Sequence, residues 1–142
     1  MRKTSLAALI VVAFVLLVAV RQAQRPAPTA PTATTTPAEQ VLARALADHQ
    51  PAVISFRSAT CIPCKAMAKI VSELRPRYNG RVAIVDVSLD DDSPDGRLIE
   101  KYQIRVKPTT VVLTRSGELA DTHIGVWPAD ELSRRLDDLV SR

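Results

Sequence analysis

The chain has 142 residues, two cysteines, 19 Lys plus Arg against 15 Asp plus Glu, and a hydrophobic content of 46% with only 4% aromatic residues. That length admits one domain with appendages and excludes two full domains. A net charge of +4 raises the question of nucleic acid or an acidic membrane surface, but its location removes most support for nucleic acid. Arg2, Lys3, Arg21 and Arg25 lie in an acid-free stretch of 25 residues, and residues 37–142 carry 15 basic and 15 acidic side chains.

Residues 4–20 form an uncharged run in which 15 of 17 positions are apolar, bounded by Lys3 and Arg21. As a helix it would be ~25 Å long, slightly short of a typical hydrocarbon core. A cleaved signal needs small residues one and three positions before the cut. Cuts after Ala19, Ala23 and Ala27 place Leu17, Arg21 and Arg25 at the third position back, which favours an uncleaved anchor over residues 1–25. No cysteine directly follows the run, so a lipoprotein is excluded. Arg2, Lys3 and the α-amino group face Arg21 and Arg25 across the segment, a nearly balanced positive-inside count. The orientation adopted puts the domain outside the cytoplasm, in the periplasm or on the outer face of the cell membrane.

Residues 26–37 use only Pro, Ala and Thr. Such a composition offers no large side chain to bury and favours extended polyproline II, a stalk of up to ~37 Å at ~3.1 Å per residue. The folded domain is assigned to residues 38–142.

At its threshold, Thr36, Pro37 and Glu39 spell a capping box with proline at the first helical position. Val41, Leu42, Ala45 and Leu46 supply the apolar face of that helix. Residues 52–56 read as a buried strand, and residues 63–74 as an amphipathic helix with Met67, Ile70, Val71 and Leu74 on one side, ending near Pro76 and Asn79-Gly80. A second buried strand follows at 82–87, and Ser93-Pro94 opens a short helix to about Tyr102. Residues 109–113 and 118–124 flank Arg115-Ser116-Gly117 as a hairpin. The last helix starts at Pro128 and aligns Leu132, Leu136, Leu139 and Val140. The order α-β-α-β-α-β-β-α predicts an α/β fold. Its first two strands run parallel through a right-handed crossover, and its last two are antiparallel. No internal repeat is present, and about 105 residues suffice for one core.

Cys61-Ile62-Pro63-Cys64 falls where a buried strand ends and a helix begins. The free N–H groups and positive dipole end of a helix stabilise a thiolate at Cys61, making it nucleophilic at neutral pH. Cys61 would then attack a substrate disulfide, and Cys64, one turn on, would resolve the mixed disulfide. Zinc would need His49 and His123 as additional ligands, because there is no second C-x-x-C. A purely structural disulfide closing so short a loop is a weak staple. Both alternatives rank below a redox-active pair, and no metal is assigned.

The chain resembles the thioredoxins and their membrane-anchored relatives from about Ala38 onwards. The resemblance rests on S-A-T-C-I-P-C-K at 58–65 after V-I-S-F, on Y-Q-I-R-V-K-P-T at 102–109, and on S-G-E-L at 116–119 followed by His123-Ile124-Gly125. It implies a thioredoxin-like fold, a mixed sheet flanked by helices. It further implies that Pro108 is a cis-proline packed against the disulfide, that Lys107 offers backbone hydrogen bonds to an extended substrate, and that Gly125 and Val126 line the same groove. Trp127 either joins that groove as a platform or packs at the start of the last helix. The activity implied is dithiol–disulfide exchange with protein substrates, with no cofactor beyond the Cys61–Cys64 disulfide. Anchored relatives suggest an extracytoplasmic reductase that draws electrons from a membrane partner and serves redox homeostasis or cytochrome c maturation. The chain departs from the family pattern at Ser55, where a buried acid is usual, at Arg57 and Thr60, where aromatics are usual, at Lys69, where the active-site helix usually has proline, and at Lys107, usually apolar. The competing class is a redox-inactive binding module built on the same groove.

Three further features are weighed on their residues alone. Arg57, Lys65 and Lys107 either depress the Cys61 pKa or form a solvated basic rim. His49 and His123 receive no catalytic role. The acidic cluster Asp90, Asp91, Asp92 and Asp95 is read as charge before a helix rather than as a calcium site.

Overall fold

The computed structural model describes residues 35–141. Eight elements follow in the order α1 (Pro37–Ala47), β1 (Ala52–Arg57), α2 (Ile62–Tyr78), β2 (Ala83–Ser88), α3 (Gly96–Lys101), β3 (Thr109–Leu113), β4 (Leu119–Ile124) and α4 (Ala129–Ser141). Of the last residues of the Pro/Thr/Ala segment, Thr36 caps the first helix and Pro37 opens it. Thr36 Oγ1 accepts from Glu39 N at 3.2 Å and Glu39 Oε2 accepts from Thr36 N at 2.9 Å, closing the capping box. Among the described residues no helix is long and apolar enough to cross a membrane. The anchor assigned to residues 4–20 lies outside them.

The four strands make one mixed sheet in the order β2-β1-β3-β4. β1 pairs parallel with β2, and β3 pairs antiparallel with both β1 and β4. Helix α2 provides the crossover that a parallel pair requires, and a tight turn suffices between β3 and β4. In that turn Gly117 has φ +81°, and a Cβ there would lie 3.3 Å from Leu46 Cδ2, so both backbone and packing call for glycine.

Side-chain alternation along β1 and β3 feeds two cores, one on each face of the sheet. Val53 and Val112 meet Met67, Val71, Leu74 and Tyr78 of α2 and Leu132, Leu136 and Leu139 of α4. Ala52, Ile54, Phe56, Val111 and Leu113 meet Leu42 of α1, Leu98 of α3 and Ile104.

Helix α2 differs from its sequence reading, for it runs through Pro76 to Tyr78. Proline in a helix interior costs about 3 kcal/mol through a lost hydrogen bond and a clash with the preceding turn. The opposing force is Tyr78, fully buried, whose hydroxyl donates to Ser133 O at 3.0 Å and Asp137 Oδ1 at 2.8 Å. These bonds fasten the last turn of α2 to α4.

Candidate active site

The register of the sheet assembles the site at one end. Phe56 stands opposite Thr109, and Thr109 opposite Ile124. The residues next in line therefore cluster there: the loop 58–60 leaving β1 toward Cys61, the Lys107-Pro108 dipeptide entering β3, and Gly125-Val126 leaving β4. Gly125 N donates to Pro108 O at 2.8 Å, and Thr109 Oγ1 donates to Val106 O at 2.7 Å, tying the proline segment to β4 and to itself. The Lys107–Pro108 bond is cis, Pro108 is buried, and Gly125 sits at φ +97°, which disfavours any residue with a Cβ.

Cys61 is the N-cap of α2, and its Sγ accepts from Cys64 N at 3.2 Å. Cys61 and Cys64 are joined as a disulfide with their Cα atoms 5.1 Å apart. Their environments differ. Cys64 is 1% exposed on the core side of α2, whereas Cys61 is partly open. On reduction, Cys61 is the sulfur presented to solvent at the positive end of a 17-residue helix.

The loop before Cys61 is held from β2. Ser58, only 4% exposed, donates to Asp90 Oδ1 at 2.6 Å, Ala59 N donates to Asp90 Oδ2 at 3.4 Å, and Ser88 Oγ donates to Asp90 Oδ2 at 2.9 Å. Ser58 Oγ also lies 3.1 Å from Thr60 Oγ1. The bonds from Ser58, Ser88 and Ala59, in that order, hold the Asp90 carboxyl below its ordinary range, and the charge of Lys107 adds to them. The sequence flagged Asp90 only within an acidic cluster. The serine three residues before Cys61 was the available signal for its partner.

Three expectations for the surroundings of the site meet specific partners. Arg57 is drawn sideways into a pair with Asp86, Nε to Oδ1 3.1 Å. Lys107 has Asp90 within electrostatic reach. Trp127 is 6% exposed and belongs to the core with Met67, its ring stacked on His123 at 4.7 Å and its backbone N–H directed at Met67 Sδ at 3.4 Å. Of its two readings, packing at the start of the last helix describes it, and the open platform does not. The exposed apolar side chains at this end are Ile62, Val106, Ile124 and Val126, of which the sequence singled out only Val126. Ile62 is 81% exposed between the two cysteines.

Beneath the site, Ser55 and Thr110 face each other across β1 and β3, and both are fully buried. Neither hydroxyl oxygen has a hydrogen-bond partner among the described residues. Among those residues no cluster of three or more His, Cys, Asp or Glu side chains is arranged to hold a metal ion.

A family model for thioredoxin matches residues 32–138. The chain belongs to the thioredoxin family. It is 29% identical over 94 residues to the thioredoxin of Pyropia yezoensis, covering 66% of this chain and 84% of that protein. It is 30% identical over 90 residues to that of Haemophilus influenzae, covering 63% and 80%. Against a chloroplastic M-type thioredoxin of Brassica napus the identity is 32% over 91 residues, 64% of this chain and about half, 49%, of that protein. The thioredoxin domain with its joined Cys61–Cys64 pair is a thiol–disulfide oxidoreductase.

Proposed function

We propose that Cys61 is the nucleophile and Cys64 the resolving thiol of a protein-disulfide reductase. The observation that carries this assignment is the asymmetry of the pair. Cys61 caps α2, partly open and bonded to a backbone N–H, while Cys64 is sealed beneath it. The Cys61 thiolate attacks one sulfur of a substrate disulfide, forming a mixed disulfide and releasing the other substrate sulfur as a thiolate that takes up a proton. Cys64 then gives up its proton and attacks Cys61 Sγ. The Cys61–Cys64 disulfide forms, and the second substrate thiol departs. Two electrons pass from the protein dithiol to the substrate, and a dithiol donor restores them.

The substrate lies as an extended segment over Lys107, Pro108, Gly125 and Val126. Ile62, Val106 and Ile124 provide an apolar border suited to protein rather than to small polar disulfides. The cysteine chemistry is carried outside the cytoplasm on a tether, with residues 4–20 as the anchor and residues 26–35 as the stalk, and a membrane protein supplies the electrons. The uncharged length of 4–20 and the Pro/Thr/Ala composition after it support this placement. Labelling of intact cells with a membrane-impermeant thiol reagent after mild reduction tests it. Cys61 modified before lysis, in protein that stays with membranes in alkaline carbonate, is the expected result. Modification only after lysis, or release by carbonate, would refute it.

A further inference from the structure

A cavity of about 330 Å³ opens beside the cysteine loop, lined by Arg57, Ser58, Ala59, Asp86, Asp90 and Asp95 among others. It is acidic, and most of its charges are accounted for. Asp86 pairs with Arg57 on one oxygen and with Arg75 on the other at 2.8 Å. Asp90 receives Ser58, Ser88 and Ala59 N. Asp95 is different. Its residue is 7% exposed, its Oδ1 is buried without a hydrogen-bond partner, and its side chain makes no capping bond to α3 behind it. A carboxylate oxygen only accepts, so this buried atom bears a desolvation cost, which a cation brought to the Asp95 carboxylate from the cavity offsets through its charge. Lys107 acts on Asp90 from the proline segment but does not line the cavity. Asp91 and Asp92, both exposed, extend the negative surface outward.

We propose that this cavity is a substrate subsite for a basic side chain, lysine or arginine, of the protein whose disulfide is exchanged. The ligand must donate hydrogen bonds and carry positive charge to satisfy Asp95 in the field of Asp90, Asp91 and Asp92. Ser58 and Ala59, which form part of its wall, lie three and two residues before Cys61 in the chain. A side chain entering the cavity therefore belongs to a polypeptide docked at the disulfide, and its apolar stem passes the loop while its charged end reaches Asp95. The inference rests on the reading of Cys61 and Cys64 as the exchanging pair.

The test uses reduced protein and a set of disulfide-bonded peptides identical except for Lys, Arg or Gln at each of the three positions flanking the cysteine on either side. At one position the Lys or Arg peptide should exceed the Gln peptide in kcat/KM by about three- to tenfold, the scale of a charge-assisted hydrogen bond partly offset by desolvation. Asp95→Asn should bring that ratio close to one. The surface variant Asp91→Asn/Asp92→Asn should keep it at high salt, where exposed charges are screened. No basic preference at any position, or a preference that survives Asp95→Asn, overturns the subsite. A preference lost in the Asp91/Asp92 variant at high salt assigns it to the surface field and also overturns it. Turnover of none of the peptides, Gln included, instead breaks the underlying exchange reading. A titration of the wild-type protein keeps the test independent of how the variants fold. Nα-acetyl-lysine amide should shift the amide resonances of Ser58, Ala59 and Asp95 saturably, and the norleucine analogue should not. Equal shifts from both, or none, overturn the proposal.

Discussion

Separating the two sulfurs tests the helix-end account of the site. In the reduced protein, Cys64→Ser leaves only Cys61, and Cys61→Ser leaves only Cys64. At Cys61 a thiolate gains the backbone donor at position 64, 3.2 Å from Sγ, and the dipole of α2. A charge-assisted hydrogen bond contributes about 1.5–3 kcal/mol net and a helix end about 0.3–1 kcal/mol. Sulfur is a weak acceptor, so a combined figure of about 2 kcal/mol is reasonable, equivalent to roughly thirtyfold in thiolate fraction. The more stable thiolate is also less nucleophilic, and with a Brønsted slope near 0.5 about fivefold of the gain survives. Burial of Cys64, 1% exposed, acts in the opposite sense, disfavouring its thiolate and blocking the reagent. Iodoacetamide at pH 6.5 should therefore alkylate Cys61 at least about tenfold faster than Cys64, with cyanylation or mass spectrometry as the readout. Equal rates, or a faster Cys64, would show that the end of α2 does not activate Cys61.

Three other outcomes follow from the packing. Tyr78→Phe removes the hydroxyl that joins α2 to α4, and because Arg77 still reaches Asp137 at 2.6 Å the loss should be about 1–2 kcal/mol in urea unfolding. Thr110→Val keeps the shape of a buried side chain while deleting an oxygen that lacks a partner, so stability should be unchanged or should rise by about 1 kcal/mol; a loss above that would reveal an unseen partner. Glu39, bonded first by Thr36 N–H and then by Arg97, and Asp90, bonded by Ser58, Ser88 and Ala59, both titrate below their ordinary values. A carboxyl with a depressed folded pKa contributes stability above its unfolded value, near 4, and that contribution fades as pH falls through the folded value. Glu39→Gln/Asp90→Asn should accordingly flatten the fall of the urea midpoint between pH 4 and pH 2, and an unchanged slope would count against those bonds.

What could be read in the chain beforehand was whatever is encoded locally. Thr36-Pro37 with Glu39 announces a helix start, and Arg115-Ser116-Gly117 announces a hairpin, because caps and turns depend on a few adjacent residues. The buried strands showed as runs of Val, Ile and Phe with too few polar positions for a solvated face, and the parallel and antiparallel pairs followed from the lengths of their connections. The order of the four strands within the sheet and the division of the core between its two faces, by contrast, depend on contacts between distant segments. Pro76 misled because the force that carries α2 past it comes from Ser133 and Asp137, 55 or more residues away. Trp127 was ambiguous for the same reason, since its burial depends on Met67 and His123 rather than on its neighbours. At the site, the spacing of Cys61 and Cys64 was visible, and so was Pro108 through its resemblance to the family. Asp90's grip on Ser58 was not, because the two meet only when β2 lies beside β1. The same holds for Asp95, which stands out by what it lacks in the fold.

The central claim, that Cys61 and Cys64 exchange disulfides in that order, is tested most directly by trapping. Cys64→Ser protein with its N-terminal segment intact should accumulate mixed disulfides with protein partners through Cys61, reversible by dithiothreitol, while Cys61→Ser and the double variant accumulate none. Adducts on Cys64 in the Cys61→Ser protein at a comparable level, or their absence from Cys64→Ser protein that is folded and reduced, would contradict it.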